Sequence, residues 1–294
     1  MYVFLISNGR SGSTLVHELL ARHPDVGFVS NIEDRLPGLP ASAGRFNNAL
    51  YRRVPPALTR KGRARFAPSE AWRALARQVS PMLVRPVRDL VAADAMPWVA
   101  ERFQRFFTER ARAQGKPVFV HKLTGWPRSG FVRAVFPDAR FLHIVRDGRA
   151  VAASDLRVSW WRGWEGPEGI GAGAMPAAYQ AEWEASGRSF PVLSAQAWKL
   201  AMDAYASARE LVPADQWLDI RYEDVLADPP SRLKELLGFM GLEPNPVFDA
   251  ALARTPFQAG RVDAWRSLLG PADVAALDAT LAGHLRAWGY DEEG

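Results

Sequence analysis

The chain has 294 residues, of which 48% are hydrophobic, so it can bury a full core in one large domain or two small ones. Its net charge of +5 favours anionic partners without selecting one class, and nucleic acid, an acidic glycan, a phosphorylated cofactor or an anionic membrane surface would all suit it. The absence of cysteine excludes disulfides and thiolate metal sites, and the five histidines lack the HxxxH or HExxH spacing of a zinc site.

The distribution of residue types along the sequence bears on domain organisation and location. No Gly/Ser-rich linker or repeat divides the sequence, which favours a single domain over residues 1–294. No apolar run reaches the roughly 18 residues of a membrane span, and the first residues lack the basic flank of a signal peptide. We therefore expect a cytoplasmic protein without a membrane span, although peripheral membrane contact stays open.

The first predicted elements are those of a doubly wound sheet. Residues 2–6 are an apolar run typical of a buried parallel strand, and the Gly/Ser-rich residues 8–13 follow as a tight turn. Leucines at helical spacing predict a helix over residues 14–21, which Pro24 ends, and residues 26–29 predict the next strand. A strand, a glycine loop, a helix and a strand in this order favour an α/β fold with a parallel sheet.

The later elements repeat this order. Further strands are predicted over residues 117–120, 140–145 and 217–220, and further helices over residues 129–135, 148–156 and 231–240, with a closing helix carrying Leu277, Leu281, Leu285 and Trp288. Residues 45–115 and 157–216 fit the sheet pattern less well. We interpret them as largely helical insertions, where acceptor recognition would be located.

The loop after the first strand has the composition of an anion-binding site. Backbone N–H groups at a helix N-terminus are unsatisfied and carry a partial positive charge, and Gly9 to Thr14 adds glycines and hydroxyl donors to them. An ordinary strand-to-helix turn would show the same glycines. A Walker loop is disfavoured, because Ser7 replaces its first glycine and Ser13 its lysine, while the cation of this loop is Arg10.

A second candidate motif follows the strand at residues 140–145. Arg146 comes at the carboxyl end of that strand, where ligands bind in open α/β sheets. Ser154 follows two helical turns later, so one phosphate could contact both side chains. A surface salt-bridge cluster is the alternative interpretation of the sequence Arg146-Asp147-Gly148-Arg149.

Together the two motifs resemble the donor-binding motifs of the sulfotransferase family, which uses 3′-phosphoadenosine 5′-phosphosulfate (PAPS). Residues 9–15 are similar to its 5′-phosphosulfate loop, and residues 146–154 to its 3′-phosphate motif. Residues 23–26, 221–229 and 260–266 also resemble family segments, the second of them a late strand and loop of bacterial members. The resemblance spans residues 2–290 and implies a P-loop-like doubly wound parallel sheet flanked by helices.

The resemblance implies a metal-independent transfer of a sulfuryl group from PAPS to a hydroxyl-type acceptor, leaving 3′,5′-bisphosphoadenosine (PAP). Arg10 and Lys122 would face the sulfuryl group, and Arg146 and Ser154 would bind the 3′-phosphate. The remaining implied donor contacts are Gly9, Ser11, Gly12, Ser13 and Thr14 around the 5′-phosphate, Tyr222 at the adenine, and Arg261 from the C-terminal side.

The general base is the point at which the sequence departs from the family. Thr124 stands where cytosolic members have a histidine, and Asn31 stands where the tyrosylprotein branch has a glutamate. Glu33 is therefore the first candidate, Asp34 the second and His121 the third. Solvated loop charges are the alternative for both carboxylates, and His121 should point away from Lys122 in a strand.

The sequence does not select an acceptor. Arg45, Arg52, Arg53, Arg60, Lys61, Arg63 and Arg65 form a basic run, and Trp160, Trp161 and Trp164 lie in a Gly-rich segment. The basic run is either a solvated face or a surface that attracts an acidic acceptor or lipid headgroups. The tryptophans either anchor the loop on the core or stack on an acceptor. Glycan, lipid, peptide tyrosine and small-molecule acceptors stay open.

Two other functions use phosphate-binding loops or positive charge: a small-molecule kinase and a nucleic-acid-binding protein. A P-loop-type small-molecule kinase is disfavoured by the missing Walker lysine. A basic nucleic-acid-binding protein would use the positive charge, but that charge is concentrated in one insertion and the two phosphate motifs, so no nucleic acid is expected.

Overall fold

The computed structural model describes residues 1–55, 58, 65–257 and 262–290. A five-stranded sheet lies at the centre, with strand order β2-β3-β1-β4-β5 and every pair parallel. The strands are β1 (Tyr2–Ser7), β2 (Val26–Gly27), β3 (Val118–Thr124), β4 (Arg140–Val145) and β5 (Trp217–Arg221). The α/β prediction is therefore confirmed, with the difference that β2 is shorter than expected and β3 continues to Thr124.

Helices flank the sheet and occur in the described parts of both predicted insertions. They are α1 (Ser13–Leu20), α2 (Asn31–Arg35), α3 (Asn47–Arg53), α4 (Trp72–Gln78), α5 (Pro97–Gln114), α6 (Ser129–Val135), α7 (Gly148–Asp155), α8 (Ala177–Ala185), α9 (Phe190–Glu210), α10 (Tyr222–Ala227), α11 (Pro229–Phe239), α12 (Pro246–Ala253) and α13 (Pro271–Ala287). Within the described ranges, no helix combines the length and apolar character needed to cross a membrane.

The alternation of side chains along β1 builds a separate core on each face of the sheet. Phe4 and Ile6 join one core, in which side chains of α5, α6, α7, α9 and α13 pack. Val3 and Leu5 join the other core, with side chains of α1, α11 and α12. Successive residues of a strand point to opposite faces, so a nearly continuous apolar run is what a strand covered by helices on both sides requires.

The strand order brings the candidate motifs to one edge. Ser7 pairs with Thr124 of β3 and with Ile144 of β4, so the chain leaves all three strands at the same carboxyl edge. β1 lies at the centre, with β3 on one side and β4 on the other. This is the position at which doubly wound sheets bind ligands.

Candidate active site

The loop after β1 is held in a conformation suited to exposing its amides. Arg10 and Gly12 both have positive φ, 64° and 78°, and Gly12 is the residue before α1. Positive φ is disfavoured at a residue with a side chain, and such strain clusters at functional sites. A Cβ at Gly12 would overlap the ring of Tyr222, so the close approach of Tyr222 to the loop depends on this glycine.

The two predicted anion motifs are in direct contact. Arg10 Nε donates to Ser154 Oγ at 2.9 Å, and Arg146 Nη1 donates to the Arg10 carbonyl at 2.8 Å. The Arg146 guanidinium also lies 5.2 Å from the centre of the Tyr222 ring, at the start of α10. Residues from the ends of β1, β4 and β5 thus form one continuous polar surface.

Unsatisfied donors on this surface fit an anionic ligand. Ser11 Oγ and Arg146 Nε are both buried and have no hydrogen-bond partner within the described part of the chain. Leaving a buried donor unpaired costs about 1–3 kcal/mol, so such atoms are expected where a ligand supplies the acceptor. Ser11 belongs to the first motif and Arg146 to the second, so each motif has a donor free for one phosphate.

The salt-bridge interpretation of the second motif is correct for part of it. Asp147 caps α7 through the Arg149 N–H, and Arg149 forms ion pairs with Asp147 and Asp278. Gly148 is required by packing, because a Cβ there would meet the Trp198 ring. These contacts fix the start of α7, while Arg146 takes no part in the ion pairs and points to the loop after β1.

Lys122 approaches the first motif from β3. Its Nζ lies 2.7 Å from Thr14 Oγ1 in the first turn of α1 and 2.7 Å from Glu70 Oε1. Thr124, two residues on and therefore on the same face of the strand, donates to Glu70 Oε2 at 2.9 Å. The family resemblance implied that Lys122 faces the sulfuryl group, whereas no sequence pattern pointed to Glu70.

Ser13 and Asp155 complete the surroundings of the loop. Ser13 Oγ accepts a hydrogen bond from Ser7 Oγ at 2.8 Å, so the hydroxyl of Ser13 is held within the loop itself. Asp155 follows Ser154, and its burial raises its pKa to about 7 although the charge of Arg10 opposes that shift. No sequence pattern pointed to Asp155, because its shifted pKa results from burial in the folded chain.

Glu33, the first candidate for the general base, lies in a buried network of structural contacts. Glu33 is 2% exposed and accepts hydrogen bonds from Ser30 and from Asn47. Its other oxygen forms a buried ion pair with Arg110 Nε at 3.1 Å. Removing one partner of a buried ion pair is strongly destabilising, and these contacts leave the carboxylate no access to an acceptor.

The two other predicted bases are also occupied or buried. Asp34 Oδ1 accepts from the N–H groups of Arg73 and Ala74, so Asp34 caps α4. His121 packs between the rings of Phe4 and Phe107, on the opposite face of β3 from Lys122. Burial lowers the pKa of His121 to about 3, which makes it a poor proton acceptor. Arg261, the remaining predicted contact, lies outside the described residues.

Comparison with known proteins agrees with this architecture. The sequence profile described as "Sulfotransferase family" matches residues 3–246. Sulfotransferase STF9 from Mycobacterium avium superposes with a TM-score of 0.62 at 17% identity, over 99% of this chain and 78% of that one. The sulfotransferase domain from the curacin biosynthetic pathway gives 0.52 at 14% identity, over 95% and 96% of the two chains. No curated protein sequence matches.

The fold is therefore that of the P-loop-like doubly wound α/β class, with both candidate anion motifs at the carboxyl edge of its sheet. The profile match covers most of the chain, so the chain belongs to the sulfotransferase family. No comparison favours the kinase or the nucleic-acid-binding alternative.

Proposed function

We propose that PAPS lies across the joined motifs, with its 5′-phosphosulfate at the loop after β1 and its 3′-phosphate at Arg146 and Ser154. The observation that carries this proposal is the pair of hydrogen bonds linking Arg10 with Arg146 and Ser154. An anion placed there would accept hydrogen bonds from the Arg10 and Arg146 guanidinium groups, which now donate to protein atoms. It would also pair the buried donors of Ser11 and Arg146.

The chain's own residues supply positioning and charge. PAPS supplies the activated sulfuryl group, which leaves negative charge on the 5′-phosphate when it is transferred. Arg10 and Lys122 stabilise that charge together with the amides of Gly9 and residues 11–14, because preorganised donors in a partly buried site need no reorganisation. Tyr222 lies between Gly12 and Arg146, where it would contact the nucleoside.

The acceptor is proposed to bind beside Trp160. The Trp160 side chain is 56% exposed, and a Cβ at Gly9 would lie 3.8 Å from its ring, so the ring flanks the donor loop. Exposed aromatic rings bind flat apolar or sugar rings well. Trp161 instead packs on Phe190, which agrees with an anchoring role for that residue. We propose a hydroxyl acceptor carrying such a ring.

We propose one domain for the chain, because α13 packs on both α7 and α9 and so returns the C-terminal segment to the sheet. A cytoplasmic location is supported by the absence of cysteine, since the fold needs no oxidising compartment.

Donor binding is tested by thermal unfolding with nucleotides in the absence of Mg²⁺. PAP should raise the melting temperature, while ADP and ATP at the same concentration should raise it little. Arg146→Ala should weaken PAP at least tenfold and leave the weak affinity for ADP unchanged, because ADP lacks the 3′-phosphate. Equal losses for the two nucleotides would contradict the assignment of Arg146, and protection by ATP but not PAP would contradict the proposed donor.

Transfer itself is tested by mass spectrometry. The protein is incubated with ³⁴S-labelled PAPS and a panel of 4-nitrophenol, octyl glucoside, 1-octanol and a tyrosine peptide. Labelled sulfate on a ring-bearing acceptor in preference to 1-octanol is expected. Preferential labelling of 1-octanol would contradict the role proposed for Trp160.

A further inference from the structure

We propose that Glu70 is the general base of this enzyme and accepts the proton of the acceptor nucleophile. The inference rests on the proposed sulfuryl transfer and adds the residue that the predicted site lacked. It is drawn from the position of the Glu70 carboxylate between the donor loop and solvent.

Glu70 reaches the reacting end of the site through Lys122. Two bonds of 2.7 Å share Lys122 Nζ, so Glu70 Oε1 lies at most about 5.4 Å, twice 2.7 Å, from Thr14 Oγ1 in the donor loop. The Glu70 side chain is 21% exposed, whereas that of Lys122 is 6% exposed. The carboxylate is therefore the member of the pair that a molecule arriving from solvent can contact.

Both oxygens of this carboxylate are oriented by β3. Lys122 holds Oε1, and Thr124 donates to Oε2. Each carboxylate oxygen has a second lone pair, so these contacts fix the group and leave acceptor capacity for one further hydrogen bond. Glu33 differs in this respect, because three donors converge on one of its oxygens inside the core.

The backbone around Glu70 is anchored tightly. Ser30 forms an isolated bridge with Pro68, and the Ser69 N–H donates to the Val29 carbonyl at 2.8 Å. The next residue after Glu70, Ala71, is fully buried with φ of 55°, in the left-handed region that residues with a Cβ rarely adopt. Such strained backbone is retained mainly at functional sites, and here it lies between Glu70 and α4.

Asp34 and Glu33 stabilise the backbone on either side of Glu70. Asp34 caps α4 directly after Ala71, and Glu33 forms the capping box of α2 with Ser30. Both therefore stabilise the segment that presents Glu70. We assign them as positioning residues and Glu70 as the group that contacts the acceptor.

The proposed step balances in atoms and charge. The acceptor oxygen forms a bond to sulfur while the bond between sulfur and the bridging oxygen breaks, and that electron pair remains on the 5′-phosphate. The acceptor proton moves to the Glu70 carboxylate and then to solvent. Lys122 Nζ adjoins both the carboxylate and Thr14, so it can stabilise negative charge on either side of the reaction.

The test separates proton transfer from donor binding. Glu70→Gln keeps the size of the side chain and the hydrogen bond from Thr124 but cannot accept the proton. Turnover with labelled PAPS and the acceptor panel should fall about 10²–10⁴-fold, the usual contribution of a general base. PAP affinity, measured by calorimetry, should be unchanged or tighter, because a negative charge near the phosphate site has been removed.

A second variant guards against a purely structural effect. Glu70→Ala should be inactive, and sodium formate should restore part of its turnover, whereas sodium chloride at equal ionic strength should not. Glu101→Gln is the matched control, because Glu101 lies on the exposed face of α5 and forms an ion pair with Arg105 there, and its turnover should equal that of the wild type.

The possible outcomes are distinguishable. Turnover of Glu70→Gln within tenfold of the wild type would overturn the proposal, and so would a loss of PAP binding that matches the loss of turnover. Absence of rescue by formate in a folded Glu70→Ala protein that binds PAP would also overturn it. A wild-type protein that binds no PAP and sulfates no acceptor would instead refute the proposed function.

Discussion

Replacing Gly12 by alanine should disable the donor loop with only a modest loss of stability. Gly12 has φ of 78°, a conformation that costs a residue with a Cβ about 1–2 kcal/mol. The new Cβ would also overlap three carbons of the Tyr222 ring, of which even the third nearest, Cζ, is 2.7 Å away. Tyr222 or the loop must therefore move, and both belong to the proposed donor site.

The expected magnitudes follow from these two effects. A loss of 1–3 kcal/mol corresponds to a fall of about 2–6 °C in melting temperature for a chain of this size. PAP affinity should fall at least tenfold, since a cost of about 1.4 kcal/mol from displacing the loop amides and the Tyr222 ring is enough to reach that factor. Differential scanning fluorimetry measures the first quantity and calorimetry the second.

Matched variants show whether the backbone or the ring is responsible. Gly283→Ala lies in α13, where a Cβ meets nothing within 4 Å, so stability should rise by up to about 1 kcal/mol with unchanged PAP affinity. Adding Tyr222→Ala to Gly12→Ala should recover part of the lost stability, because the overlap is removed while the strained φ remains. A Gly12→Ala protein that melts and binds PAP like the wild type would refute the reasoning.

Two further predictions concern Asp155 and Trp160. The raised pKa of Asp155 means that its carboxyl favours the neutral form in the folded protein, so the free energy of unfolding falls as pH rises from about 4 to about 7. Relative to the wild type, the Asp155→Asn protein should therefore gain about 1.4 kcal/mol in the free energy of unfolding per pH unit in that window, measured by urea unfolding. A difference that does not depend on pH would contradict the shift. Trp160→Ala should raise KM for a ring-bearing acceptor about 3- to 10-fold without changing PAP affinity, and an unchanged KM would remove Trp160 from the acceptor site.

The sequence by itself determined the sheet and the positions of both anion motifs. Each of these features is encoded locally: an apolar run followed by glycines, or an arginine directly after a buried strand. The parallel order of the strands then required the two motifs to meet, because the carboxyl ends of neighbouring parallel strands share one edge. Arg10, Arg146 and Ser154 could be selected in this way.

Only the tertiary structure decided which carboxylate is free to act. Glu33 forms a buried ion pair with Arg110, which lies 77 residues away in the sequence. Glu70 forms its ion pair with Lys122 from an insertion that has no strand or glycine signature. Sequence spacing favoured Glu33, since nothing local distinguishes a buried ion pair from an exposed carboxylate. Burial and partners depend on segments that come together only on folding, and these set the chemistry of a carboxyl group.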